Sequence, residues 1–265
     1  WKGVECDDQG NVVGLNLSNC NGYDPTDQAL LVRNQQKALQ GSLTPAALLA
    51  LSSSSISNVS STLSTLDLGC QLFHGIIPPE IGSLASLSYL DLSFQAQGPQ
   101  NIYNKNDSAH VLSGPIPNEL WSLPHLSHLD LGSNSISGSI STDVGHCTSL
   151  VNLYLGTNNL TGEVPSSLRN LTLLKALDLS SNTKLHSLPP SDWVPSFVGL
   201  QSLDISLCSF SGPFPSWVRY LTNLSSFTLT GNHFSGEIPE WAWRIAKNLL
   251  DFSNNKFNNT LACDT

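Results

Sequence analysis

The sequence predicts a solenoid of α/β type. This is a right-handed superhelix with one parallel β-sheet along its concave wall, mostly strand and irregular chain, with little helix. Two observations predict it. Residues 126–149, LSHLDLGSNSISGSISTDVGHCTS, are followed over 150–173 by a second block of 24 residues on the same plan, LVNLYLGTNNLTGEVPSSLRNLTL. The blocks align without a gap at Leu126/Leu150, Leu129/Leu153, Leu131/Leu155, Asn134/Asn158, Ile136/Leu160 and Gly138/Gly162. In addition, a back half of form G-x-[IVF]-P returns at 75–78, 114–117, 162–165, 212–215 and 236–239. Self-similarity at this period marks a chain of stacked units, each packing only on its neighbours.

The unit L-x-x-L-x-L-x-x-N is a leucine-rich repeat. Alternation on a short strand turns Leu129 and Leu131 inward and His128, Asp130 and Gly132 outward. Strands are expected at about 65–69, 89–93, 128–132, 152–156, 176–180, 202–206 and 226–230. Asn134 brings the chain inward, and its amide is placed to satisfy backbone groups of adjacent turns that water cannot reach. Down the stack this ladder column reads Cys20, Gln71, Gln95, Asn134, Asn158, Asn182, Cys208, Asn232 and Asn255. The later Gly and Pro supply a tight turn and a fixed extended bend.

In chain order, residues 1–14 precede the first repeat, whose strand takes Leu15, Leu17 and Cys20. The solenoid covers 15–262 in about nine repeats. Insertions at 21–38, 50–62 and 96–111 break the period; the first and last follow the ladder position directly. Roots in equal phase lie on one flank. The two interrupted repeats have one complete copy between them, so these roots should be about 10 Å apart, at ~5 Å per strand. Clean repeats start at Leu63, Leu126, Leu150, Leu174, Leu200 and Leu224; the one at Leu174 ends in an odd tail, HSLPPSDWVPSFVG. Residues 263–265 are a candidate start of a C-terminal cap.

Composition narrows the partners. Charged residues are 12%, with 11 basic against 20 acidic and no basic cluster, which argues against nucleic acid and anionic membranes. No apolar run reaches the ~18 residues of a membrane span. The six cysteines and seven histidines have no metal-ligand spacing, so neither metal nor cofactor is expected. Seven N-x-[ST] sequons, at Asn16, Asn58, Asn106, Asn159, Asn170, Asn223 and Asn258, favour a secreted glycoprotein. Cys147 and Cys208 read as buried thiols. Trp121, Trp217, Trp241 and Trp243 fall in the convex stretch, and the last two are too close together for both to point inward.

The central outward column is Asp67, Asp91, Asp130, Tyr154, Asp178, Asp204, Thr228 and Asp251. Carboxylates on neighbouring strands approach the spacing of a glycosidase pair. However, an open sheet is expected to offer no pocket that keeps one acid protonated, so no catalytic residue is assigned. The middle repeats differ from the Ser- and Thr-bearing outer ones. Tyr89, Asp91, His128, Asp130, Asn152, Tyr154 and Lys175 cluster there and form the candidate ligand wall, because aromatics with polar tips favour recognition. Tyr103 and Lys105, in the turn-rich insertion 96–111, are candidates for a contact loop beside it.

With LDLS, S-G-x-I-P and the opening WKGVEC, the chain resembles the ectodomains of plant leucine-rich repeat receptor kinases and receptor-like proteins. CSFSGPFPSWVRYLTNL at 208–224 is most similar to the latter. The resemblance implies a second, small β-element on the flank after the asparagine. It also implies a partial N-terminal cap in which Cys6 matches the second cysteine of a disulfide whose first lies before Trp1; pairing with Cys20, or no pairing, is the alternative. It further implies an extracellular or cell-surface location, a signalling or defence role, a peptide, protein or cell-wall glycan ligand, and a co-receptor. A secreted inhibitor of microbial cell-wall hydrolases is the competing expectation. An ice-binding surface is disfavoured by the interrupted repeats.

Overall fold

The computed structural model describes residues 4–6, 8, 12–16, 40–42, 63–69, 72–93, 111–189 and 196–258. The parallel wall is present as a ten-stranded sheet. Val4–Cys6 runs antiparallel to Val12–Asn16 at one edge. From there the sheet is parallel through Thr65–Asp67, Tyr89–Asp91, His128–Asp130, Asn152–Tyr154, Ala176–Asp178, Ser202–Asp204, Ser226–Thr228 and Leu249–Asp251. Registers are uniform, so Leu66, Leu90, Leu129, Leu153, Leu177, Leu203 and Phe227 form one inward column. All seven are buried.

Strands begin where the sequence predicts but span three residues rather than five. All stop at three residues, Asn152–Tyr154 and Ser226–Thr228 included, and most have an aspartate at the third position. Its Oδ1 accepts the N–H two residues on, from Gly69, Ser93, Gly132, Ser180, Ser206 and Ser253 in turn, which closes a turn against the strand.

A second set of strands runs along the flank: Gln40–Ser42, Leu72–Ile76, Leu112–Gly114, Ser135–Ser139, Asn159–Glu163 and Lys184–Ser187 pair in that order, and Ser211–Gly212, His233–Gly236 and Lys256–Phe257 form a separate three-stranded group. The strands that follow the insertions 21–38 and 96–111 are thus two places apart, with Leu72–Ile76 between them. The convex side carries one 3₁₀ turn per repeat, as at Asn118–Ser122, Ser166–Asn170 and Ser216–Tyr220. A proline precedes each of these three, as Pro117, Pro165 and Pro215, in extended backbone that directs the chain into the turn. No α-helix occurs among the described residues.

The asparagine ladder couples the two sheets. Asn158 Nδ2 lies 2.9 Å from Leu131 O in the preceding repeat and 3.2 Å from Leu155 O in its own, while its Oδ1 accepts from Ile136 N–H of the preceding flank strand at 2.9 Å. Asn134, Asn182 and Asn232 repeat this set. Cys208 keeps half of it: its thiol reaches Leu179 O at 3.3 Å, but sulfur offers no oxygen to the flank, and the buried Leu185, the counterpart of Leu160, gives its N–H to Asn182 O at 2.9 Å instead. The flank sheet divides here. One extra residue before Leu185 leaves this flank strand without the positive-φ glycine of Gly138, Gly162, Gly212 and Gly236; the register slips between Gly162 and Glu163, and one backbone bond, Ser209 N–H to Leu185 O at 2.8 Å, crosses the gap. The ladder positions Cys20, Gln71 and Gln95 lie outside the described residues.

Just before the ladder each repeat holds one residue in left-handed backbone: Ser133, Thr157, Ser181, Leu207, Gly231 and Asn254. Leu207 is bulky and 51% exposed, and its Cδ2 lies where a Cβ on Gly231 would be, at 2.5 Å. Trp121 and Trp217 are buried, Trp241 packs edge-on against Phe214, and Trp243 is the exposed member of its pair.

A candidate recognition wall on the concave sheet

The register assembles six of the sequence-predicted residues on three adjacent strands. Tyr89, His128 and Asn152 align as one outward column, and Asp91, Asp130 and Tyr154 as the next. The Tyr89 and His128 rings stack at 4.2 Å with planes 5° apart, and His128 meets Tyr154 at 5.6 Å in a tilted pair. Asn152 Nδ2 is 3.3 Å from His128 Nδ1, and in a neutral ring that nitrogen can accept from the amide. Burial favours the neutral ring by lowering the His128 pKa, against the opposing pull of Asp91.

The acidic column is not uniform. At Asp91 and Asp204 the serine two residues on gives both its N–H and its hydroxyl to Oδ1. At Asp130 that residue is Gly132, and only the N–H is available, at 2.8 Å. Burial therefore pushes the Asp130 carboxyl up to about 7, with the Gly132 bond opposing and Asp91, Asp178 and Asp67 adding to the rise. This corrects the expectation that an open sheet cannot hold an acid protonated. The acidic column is partly buried and lined by like charges, so water alone does not set its electrostatics. Burial, then Asp91 and Asp67, pushes the Tyr89 hydroxyl up to about 12, and Tyr154 rises by burial, then by Asp130 and Asp178. Asp178 also rises through burial, against the hydroxyl and N–H of Ser180.

Lys175 is exposed, one residue before the strand Ala176–Asp178, and so stands at the margin of the wall. Tyr103 and Lys105 lie outside the described residues. Reading by sequence missed Asp67 and Asp178, which share the acidic field, and Gly132 and Gly156, which make room for the Asp130 and Asp178 carboxylates. The signal for the last two was in the sequence, as LDLG and LYLG among copies of LDLS.

Of the sequons, Asn16 aligns with Asp67 in the outward column and is exposed, as are Asn159, Asn170, Asn223 and Asn258; Asn58 and Asn106 lie outside the described residues. Cys6 is exposed, Cys147 and Cys208 are buried, and no disulfide joins these three described cysteines. Burial pushes both buried thiols up to about 12. No cluster of His, Cys, Asp or Glu able to hold a metal occurs among the described residues. Nor is any described helix long and apolar enough to cross a membrane.

The Leucine Rich Repeat family model matches residues 125–147, 149–171 and 199–221. The chain has the leucine-rich repeat fold. Structurally, this leucine-rich repeat chain is similar to plant receptor kinase ectodomains. The plant peptide hormone receptor RGFR1, solved in complex with RGF2, is 27% identical at a TM-score of 0.66, covering 97% of this chain and 37% of that one. The Arabidopsis receptor kinase HAESA ectodomain, solved with an extended IDA peptide hormone, is 25% identical at a TM-score of 0.60, covering 97% and 44%. A plant ice-binding protein at 23% identity and a TM-score of 0.58, covering 98% and 78%, shares the fold. The chain thus spans less than half the length of these two receptor structures. Among curated proteins no match is found.

Proposed function

We propose that this repeat protein is an extracellular ligand-recognition module of the plant receptor type, which binds a peptide, protein or glycan ligand on its concave wall. The observation that carries the reading is the contiguous set Tyr89, His128, Asn152 and Tyr154, joined by ring contacts and a hydrogen bond in the middle of the sheet. Large aromatic side chains with polar tips, held rigid by one another, lose little freedom when a partner covers them. Elsewhere along the same column stand small residues, Thr65, Ser202 and Ser226, which offer less contact area. The receptors that this chain resembles were solved with peptide hormones, and that resemblance favours a peptide. The reading needs no catalytic group, and the repeat fold it shares is typically a binding scaffold.

The test is a binding panel. The secreted protein is immobilised and exposed to short peptides, folded proteins and cell-wall oligosaccharides, beside the variant Tyr89→Ala/Tyr154→Ala. We expect at least one ligand to bind the parent and to be lost from the variant at an unchanged melting temperature. If every ligand is retained by the variant, recognition lies elsewhere and the reading fails.

A further inference from the structure

We infer that the wall between Tyr89 and Tyr154 selects a cationic side chain, a guanidinium or an ammonium, carried by an extended peptide; this deepens the recognition reading above and rests on it. Two independent features of the wall ask for the same chemistry. The first is the aromatic face: Tyr89 stacked on His128, with Tyr154 tilted beside them, presents ring surfaces that attract a cation through their quadrupoles. The second is the carboxylate column. Asp91 and Asp130 each commit Oδ1 to the turn that follows, while the second oxygen of each takes no hydrogen bond among the described residues. Neighbouring strands are ~4.8 Å apart, which lets one planar guanidinium reach both carboxylates.

Among the described residues, the strands of the wall supply no lysine or arginine to answer these charges. The six strands from Thr65–Asp67 to Ser202–Asp204 contain five aspartates and neither lysine nor arginine. Lys175 stands before its strand, and His128 is held toward its neutral form by burial. An anionic ligand, such as an acidic oligosaccharide or a phosphate, would meet only repulsion here. Gly132 and Gly156 make room for the carboxylates themselves: Asp130 Oδ1 lies 3.1 Å from where a Cβ on Gly132 would be, and Asp178 Oδ2 2.6 Å from the same point on Gly156. An extended chain laid on the wall sets alternate side chains toward it.

Proton linkage gives a second readout. A bound cation stabilises the ionised form of Asp130, whose carboxyl otherwise titrates at about 7 under burial and the field of Asp91, Asp178 and Asp67, with Tyr89, Tyr154 and His128 as the remaining titratable groups facing it. Binding of a cationic peptide therefore strengthens as pH rises from 6 to 8.

The experiment uses a randomised heptapeptide display library against the intact glycoprotein, parent and Asp91→Asn/Asp130→Asn. Asparagine keeps the Oδ1 that closes each turn, so the fold should survive, and the melting temperature checks it. If the double variant does not fold, the two single variants take its place. Enrichment of arginine or lysine is expected. The strongest peptide should bind at least tenfold more weakly to the double variant (about threefold to each single one), equally well to the distant Asp251→Asn, and better at pH 8 than at pH 6. Enrichment of neutral or acidic peptides, or an arginine peptide indifferent to the double variant, overturns the cationic selection and leaves peptide recognition standing. If no peptide is enriched, peptide recognition by this wall falls with it.

Discussion

The repeats at Asn158 and Asn182 and the repeat at Cys208 solve the same problem with different atoms. In the first two, one amide holds carbonyls of two consecutive repeats with its nitrogen and the flank strand with its oxygen. At Cys208 the thiol donates to Leu179 O, so the concave half of the bridge survives and the flank half is absent. The concave sheet runs through Cys208 without a break, while the flank sheet divides there. The ladder residue is thus two devices in one side chain, a donor for the wall and an acceptor for the flank, and they can be lost separately.

The sharpest way to break this contrast is Asn182→Leu. It removes both devices at a fully buried position and strands the Leu160 N–H together with the carbonyls of Leu155 and Leu179. A loss of about 3 kcal/mol in unfolding free energy is expected by denaturant titration, since each buried group left unpaired costs about 1–3 kcal/mol. Cys208→Asn runs the other way, by offering an acceptor to the flank at Leu185, whose N–H now bonds Asn182 O at 2.9 Å. With that amide already satisfied, the expected gain is below about 1 kcal/mol by denaturant titration. A gain of about 2 kcal/mol or more would mean that the Leu185–Asn182 bond contributes little.

The acidic column holds the same lesson on a smaller scale. Asp204 has two donors and Asp130 one, because a serine follows the first and a glycine the second. The folded chain keeps the Asp130 proton up to about 7, whereas an ordinary aspartate releases it near 3.8. Between these values the folded state binds the extra proton, so this carboxyl lowers stability progressively as pH rises from about 4 to 7, and fully above 7. Asp130→Asn should therefore melt higher than the parent at pH 8 and level with it at pH 4. A difference independent of pH would show that burial does not act on this carboxyl. The smallest effect is on reactivity. Cys147 and Cys208, buried with thiols pushed up to about 12, should resist labelling until denaturant is added, while exposed Cys6 reacts. Early modification of Cys208 would mean that the divided flank opens to solvent.

Much of the fold was legible because period and alternation are properties of the sequence itself. Strand starts, the inward leucines, the asparagine ladder and the outward column holding Tyr89, His128 and Tyr154 follow from counting. Strand ends did not, since LDLS and LYLG alike read as continuing alternation, and Asn152–Tyr154 stops at three residues with no aspartate there. The divided flank was not read either. Cysteine at the ladder looked like a tolerated substitute, because donor capacity and acceptor capacity are indistinguishable until both partners are in view. The near-neutral titration of Asp130 depends on its burial in the assembled wall and on Asp91, Asp178 and Asp67 from other strands, and no local pattern encodes that.

Leu207 and Gly231 bear on how such a chain changes over generations. A leucine in left-handed backbone is disfavoured by about 1–2 kcal/mol, so drift toward asparagine or glycine at 207 should be open at any time. Position 231 is less free while Leu207 remains, because a Cβ there would lie 2.5 Å from its Cδ2 and the exposed leucine would have to turn away. Once Leu207 is replaced, residues such as the Ser, Thr or Asn of the other repeats fit at 231 with no such shift. The order of substitution is therefore biased toward 207 first and 231 second. Two positions 24 apart in the chain behave as one locus, which is how a stacked architecture converts spatial adjacency into historical contingency.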